Sequence, residues 1–406
     1  LRSSNAARGN RCAPGPGEPA RCRPGLDPAT RGGTTRHPLP APGEQPEGLQ
    51  PPRDSVLCLG HDNIERKLLD YINSGAIPHA LIFSGLKGTG KSTMAFRLAR
   101  YLLKNGTPDA AQDSLFGDAP NVAESLSIAE GDSVFSQVSS GGHPDLLTIE
   151  RPVDSKKGQQ KSALDVETAR KVAPFLRMTS SNGGWRVVIV DDADTMNRNA
   201  QNALLKILEE PPKNALLILI CHRLGAMIPT IRSRCRVLNF EPLSTEHLSD
   251  LMEREIGSTI ESDQKFLLSA LSNGSIGTAK EIIDNKGLDT AESVLDIIQT
   301  WPKFNWVDIH HLSDQVGRAG QDDAFKNLER TFLWLCEDMI FAKARNQQSF
   351  QPPLEKAVYT EILNTYDLQT WLEIFEKLKS HFSQAHFSNL DKRQAALDAF
   401  NLIKPV

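Results

Sequence analysis

The chain has 406 residues, enough for two or three domains, and its 39 % hydrophobic content is ample for real cores. A net charge of −4 excludes the strongly basic balance of a stand-alone nucleic-acid binder, and no apolar run approaches the roughly 18 residues that span a bilayer. The six cysteines form no CxxC pair, so neither a zinc knuckle nor a disulfide framework is suggested, and a reducing cytoplasm is the expected compartment.

Residues 1–53 hold eight arginines against four acidic residues, together with 11 of the 25 prolines and eight of the 28 glycines. Such a segment buries too little apolar surface to offset its ordering entropy. It reads as a disordered tail or as sequence translated upstream of the true start. A transit peptide and a basic tethering arm are the alternatives, and no function is drawn from it.

From Val56 the texture changes. Ile64, Leu68, Leu69 and Ile72 recur at helical spacing and predict a helix over 61–74. Ala80-Leu-Ile-Phe83 is a short buried strand, followed by a glycine-rich loop and a helix over 92–103 with Met94, Leu98, Ala99 and Leu102 on its apolar face. Residues 104–142 are polar and predict an irregular insertion. Strand character returns over 143–149, a charged excursion follows at 156–161, and 164–178 reads as a helix.

The stretch 185–240 organises the rest. Its continuous apolar runs, 187–190 and 216–220, are those of strands buried on both faces of a parallel sheet. The first ends on Asp191 and Asp192 at the carboxyl edge, where open α/β sheets hold ligands. The second leads through a short helix begun by Pro229 into Ser233-Arg234-Cys235. Beyond Phe240 the pattern is helical: 245–256, 263–271 and 277–284 form a lid-sized unit, and a longer helical region starts near Ala291. Its stripes are Phe325, Leu328, Phe332, Leu335 and Met339 in one helix, and Leu368, Trp371, Leu372, Phe375 and Leu378 in another. They read as bundle core, with oligomer contact as the alternative.

Residues 85–92 match G-x-x-x-x-G-K-S between a strand and a helix, as phosphate binding requires. Gly85, Gly88, Thr89, Gly90, Lys91, Ser92 and Thr93 are therefore the candidate nucleotide-binding residues. The loop's backbone N–H groups would close on phosphate oxygens, Lys91 would supply a point charge, and the helix N-terminus adds its dipole. Ser92 and Asp191 are the candidate Mg²⁺ ligands. Asp192 stands where related ATPases place a base for the attacking water, but it is one methylene shorter than glutamate. Binding without fast turnover is the expectation, and a carboxylate pair that merely caps the next helix is the alternative. Arg234, between Arg232 and Arg236, reads from its chemistry either as a solvated loop charge or as an arginine finger offered to a neighbour's γ-phosphate.

The run 185–240, with Asn202-Ala-Leu-Leu-Lys-Ile-Leu-Glu-Glu-Pro-Pro212 and Thr230-Ile-Arg-Ser-Arg-Cys235, closely resembles the clamp-loader ATPases of bacterial DNA polymerase III. His143-Pro144-Asp145 and the helix over 165–178 extend the likeness, which covers roughly 56–290 and is most similar to the delta prime branch. The resemblance implies an α/β plus all-α AAA+ chain: a tail over 1–54, a RecA-like domain with a parallel sheet over 55–241, a helical lid over 242–290 and a helical collar over 291–406. It also implies a hetero-pentameric ring with gamma/tau motor and delta subunits, which loads the sliding clamp on primed DNA and has no membrane role. The branch acts largely as a stator whose Ser-Arg-Cys arginine, here Arg234, completes an adjacent motor's ATP site. Polymerase chemistry would belong to the holoenzyme.

Departures from the family pattern bear on that reading. Residues 104–150 contain no cysteine, so the zinc module of many relatives is not expected. Cys221-His222 stands where motors place Thr or Asn to sense the γ-phosphate. Gly274-Ser275-Ile276 is followed by Gly277 and Thr278, without the lid arginine of motors. The phosphate loop nevertheless stays whole, which implies ATP and Mg²⁺ binding with weak or no intrinsic ATPase. A motor-type subunit of the same ring is the alternative. A small-molecule kinase would need an acceptor pocket and a lid arginine, and neither pattern is present.

Overall fold

The computed structural model describes residues 50–106, 122–152, 163–181, 183–255, 262–318, 320–345, 354–387 and 391–405. Nearly all of the 1–53 tail, the 156–161 excursion and part of the insertion lie outside them.

Strands β1 (Ala80–Gly85), β2 (Leu146–Ile149), β3 (Arg186–Val190), β4 (Ala215–Cys221) and β5 (Arg236–Phe240) form one sheet in the order β2-β3-β4-β1-β5, every pairing parallel. Successive side chains on a strand point to opposite faces, and the apolar runs divide on that rule. Leu81, Phe83, Val187, Ile189, Leu216, Ile218 and Ile220 face α1 (Asp62–Asn73) and α2 (Lys91–Asn105). Ala80, Ile82, Val188, Val190, Leu217, Leu219 and Cys221 face α4 (Val166–Arg170), α5 (Val172–Arg177) and α6 (Arg198–Glu209). Both faces are covered, which is why these strands read as unbroken apolar runs.

Three expectations are adjusted. The insertion holds a short helix, α3 (Ser133–Ser139), capped by Asp132 and burying Phe135 and Val138. Strand β2 starts only at Leu146, because Pro144 has no N–H to donate and His143 Nδ1 accepts the Asp145 amide in a turn. The helix expected over 164–178 is two helices broken at Lys171. Pro174 lies in the first turn of α5, where its missing N–H costs nothing; in the middle of one long helix it would leave a carbonyl unpaired.

After the four-residue helix α7 (Pro229–Arg232) and β5, the chain is helical: α8 (Thr245–Glu255), α9 (Ser262–Ser272), α10 (Ile276–Asp284), α11 (Gly287–Ile298), α12 (Trp306–Val316), α13 (Asp322–Arg345), α14 (Lys356–Thr365), α15 (Leu368–Phe387) and α16 (Lys392–Ile403). These helices share one apolar cluster running from Leu243 to Ile403. The α13 stripe is core throughout, Phe325, Leu328, Phe332, Leu335 and Met339 all being buried. On α15 the buried face is Trp371, Ile374, Leu378 and Phe382, whereas Leu368 and Leu372 are exposed. No described helix is long and apolar enough to cross a membrane.

Candidate functional site

β1 delivers the chain into the glycine-rich loop and α2 takes it away. Gly85 adopts φ +150°, and a Cβ there would lie 2.2 Å from the Phe240 carbonyl oxygen of β5, so only glycine fits. Lys91, the first residue of α2, is 2 % exposed; its ammonium donates to the Gly85 carbonyl at 2.8 Å and to that of Leu86. Burial lowers its pKa to about 8, with the Asp191 carboxylate pulling the other way. Thr89 is buried and donates through Oγ1 to the Leu86 carbonyl at 3.0 Å, while Ser92 and Thr93 follow on α2. No side chain caps α2, so its N-terminal amides are left to the loop.

Two residues behind this loop carried no sequence signal. His61 donates from Nε2 to the Thr89 carbonyl at 2.5 Å and rests edge-on against Phe240. Burial lowers its pKa, which keeps the imidazole neutral. Cys58 sets its thiol 3.7 Å from the Gly90 carbonyl. Both bear on the loop from outside its sequence, and only the fold reveals them.

Asp191 follows β3 and meets the loop directly. Ser92 Oγ donates to Asp191 Oδ2 at 3.2 Å, although the two are 99 positions apart. Burial, and then the adjacent Asp192 charge, raise the Asp191 pKa. Asp191 Oδ1 also accepts the Asp192 amide at 2.9 Å; the carboxylate and the Ser92 hydroxyl are two hard oxygen donors side by side, which fit a magnesium ion.

Asp192 has a different environment. Its backbone is left-handed, φ 51°, and its carboxylate is taken from both sides: Arg151 Nε donates to Oδ2 at 2.7 Å and His222 Nε2 to Oδ1 at 2.7 Å. The His222 hydrogen bond foremost, with Arg151, holds the carboxyl down to about 2 against the cost of burial. Arg151 follows β2, Asp192 follows β3 and His222 follows β4, so the three side chains bridge the carboxyl ends of three adjacent strands. His222 is itself tied, its amide donating to Asp194 Oδ1 at 3.0 Å.

The segment Gly274-Ser275-Ile276-Gly277 sits on the loop. Ser275 Oγ donates to the Lys87 carbonyl at 2.7 Å, accepts from the Thr278 amide at 3.0 Å, and so caps α10. The Gly277 amide donates to the Gly88 carbonyl at 3.1 Å. A Cβ on Gly277 would stand 2.9 Å from Gly88 Cα, so the two backbones meet in direct contact.

Arg234 lies elsewhere. It precedes β5, at the amino edge of the sheet, whereas the phosphate loop leaves the carboxyl edge of β1. The four steps of β5 from Arg236 to Phe240, which pairs with Gly85, cover about 13 Å at about 3.3 Å each, and Arg234 lies before that amino end, its amide donating to the Ile231 carbonyl in the turn after α7. The guanidinium is partly exposed and is held by the Thr230 carbonyl at 3.0 Å and Glu209 at 2.9 Å. The fold thus gathers Lys91, Ser92, Asp191 and Asp192 at one edge and keeps Arg234 at the other.

A family model described as "DNA polymerase III, delta subunit" matches residues 60–244. The chain is 34 % identical over 267 residues to the DNA polymerase III subunit delta′ of Pseudomonas aeruginosa, covering 64 % of this chain and 70 % of the relative. It is 26 % identical over 329 residues to the subunit delta′ of Bacillus subtilis, covering 79 % and 84 %. To that of Escherichia coli it is 29 % identical over 241 residues, covering 59 % and 65 %.

Proposed function

Because the chain belongs to the DNA polymerase III delta′ family, we propose that it serves as the stator of a clamp loader in DNA replication, offering Arg234 to the ATP site of a neighbouring subunit. The observation that carries this is the placement of Arg234. It lies before the amino end of β5, whereas the glycine-rich loop starts at Gly85, which pairs with Phe240 at the carboxyl end of that strand. It is outward-facing, and Glu209 and Thr230 steer it. A guanidinium so placed serves a γ-phosphate presented by another chain. The helices beyond Leu243 are the lid and collar of this reading, and the collar joins the ring of motor and delta subunits that carries the sliding clamp and primed DNA.

The same reading gives the chain its own nucleotide site. Residues 85–93 would hold the phosphates of ATP, and Ser92 and Asp191 would hold Mg²⁺, which supplies charge neutralisation when bound. Lys91 contributes its charge from a buried position. Asp192, short and held by the Arg151 guanidinium and the His222 imidazole, is a poor base, so the chain binds ATP and turns it over weakly.

The test is a reconstituted ring with Arg234→Ala, assayed beside the isolated chain. The isolated chain should be nearly inert, and the substitution should cut the ring's ATPase by at least about tenfold. A ring indifferent to Arg234→Ala would refute the stator reading. The intact loop is the observation favouring a motor-type subunit instead. That second reading requires Lys91→Ala to abolish clamp loading, and it fails if loading survives.

A further inference from the structure

We propose that His61 and Ser275 are positioning residues for phosphate binding: they hold carbonyls of the glycine-rich loop outward, which turns the loop's amides toward the anion. This rests on the nucleotide reading of the same site and identifies what, outside the loop, gives it a binding shape.

A trans peptide is planar, with its C=O and N–H on opposite edges. A donor that fixes the carbonyl of one residue therefore also fixes the direction of the next residue's amide. Three consecutive carbonyls of the loop are fixed in this way by groups that lie outside it. Ser275 Oγ donates to Lys87 at 2.7 Å, the Gly277 amide to Gly88 at 3.1 Å and His61 Nε2 to Thr89 at 2.5 Å. The amides of Gly88, Thr89 and Gly90 are thereby turned away from these donors, and none of the three meets an acceptor among the described residues. Left-handed glycines, Gly88 at φ +75° and Gly90 at φ +96°, flank Thr89, and that alternation gives successive amides the concave arrangement that binds anions.

Both side chains are placed to act firmly. His61 is 3 % exposed and Ser275 2 %, so water does not compete for their hydrogen bonds. His61 stands immediately before α1 against Phe240, and Ser275 is fixed by the Thr278 amide as the cap of α10. They reach the loop from 28 positions before Thr89 and 188 positions after Lys87. A loop with glycine at 85, 88 and 90 has many conformations open to it. A ligand that had to select one of them would bind more weakly, and the two side chains make that selection beforehand.

The experiment uses the full-length chain with Ser275→Ala, His61→Ala and His61→Gln, each checked for folding by circular dichroism. Binding of a fluorescent ADP analogue with Mg²⁺ is measured, then its displacement by inorganic pyrophosphate, with Lys91→Ala as the blank. Ser275→Ala and His61→Ala should each weaken the analogue and pyrophosphate by the same factor, at least about fivefold, because only the phosphate cradle changes. His61→Gln keeps a side-chain N–H donor and should recover most of the loss. A loss confined to the analogue would mean that α10 acts on the nucleoside and not on the loop. That result, unchanged affinity for both ligands, or a His61→Gln chain no better than His61→Ala would overturn the proposal while leaving the nucleotide reading in place. Failure of the parent to bind above the Lys91→Ala blank would overturn the nucleotide reading, and the proposal with it. Should His61→Ala fail to fold, Ser275→Ala alone decides by the same comparison of the two ligands.

Discussion

Gly277→Ala should unseat α10 from the glycine-rich loop. The new Cβ would stand 2.9 Å from Gly88 Cα, and its three nearest atoms are all Gly88 backbone, so no side chain can rotate away. Accommodating a methyl against a fixed wall costs about 1–3 kcal/mol. Parting the seam instead gives up two hydrogen bonds, Ser275 to Lys87 and Gly277 to Gly88, at about 1 kcal/mol each. The molecule takes the cheaper route, so the penalty is capped near 2 kcal/mol whichever strain would otherwise build. That corresponds to roughly a 30-fold shift toward the open seam. The readout is local, which suits a chain whose global unfolding need not be two-state. Hydrogen exchange in the peptide holding Ser275 and Gly277 should accelerate by about that factor. Gly131→Ala is the control, since a Cβ there meets nothing within 4 Å. Equal exchange in the two variants would refute the seating of α10 on the loop.

Acid stability should carry the signature of Asp192. Its carboxyl is held at about 2 against an ordinary 3.8, so the stability this carboxylate draws from the Arg151 ion pair and the His222 hydrogen bond is present above 3.8 and is lost as pH falls toward 2. Asp192→Asn should therefore flatten the stability–pH curve in that window, and an unchanged acid limb would contradict the geometry. Asp145→Ala should cost about 3 kcal/mol or more, because it strands the buried Arg186 guanidinium and the Ser181 amide that the carboxylate now holds. Urea denaturation measures it, and a loss below about 1 kcal/mol would show the pair to be solvated.

Much of the nucleotide edge was legible because its signals are local. A strand that must bury both faces is written as an apolar run, and a loop that must cradle phosphate is written in glycine. Lys91, Ser92 and Asp191 stand out as candidates that way, and the fold brings Ser92 and Asp191 within a hydrogen bond of each other. Arg151 was not found: it stands in an ordinary loop, and its meaning depends on β2 lying next to β3, which no spacing discloses. His222 was noticed as a departure, but its grip on Asp192 comes from β4 lying on the other side. The Gly277 contact reaches 189 positions back to Gly88, and the sequence offered only a missing arginine. On α15 the stripe was misjudged by a fraction of a turn. Leu372 sits one residue from Trp371, about 100° around the helix, which carries it out of the face that Trp371 and Leu378 bury.

The apolar cluster from Leu243 to Ile403 crosses the boundary at 290 expected between lid and collar without a break. Glu281 of α10 pairs with Lys326 and Arg330 of α13, and Gln264 of α9 donates to Glu292 of α11 at 3.0 Å. Flexing at that boundary would expose core and part these pairs, so the helical half has no joint there. Its near end rests on the glycine-rich loop at Ser275, so a shift of that end would have to be taken up by the helical half as one body and not by a hinge at residue 290.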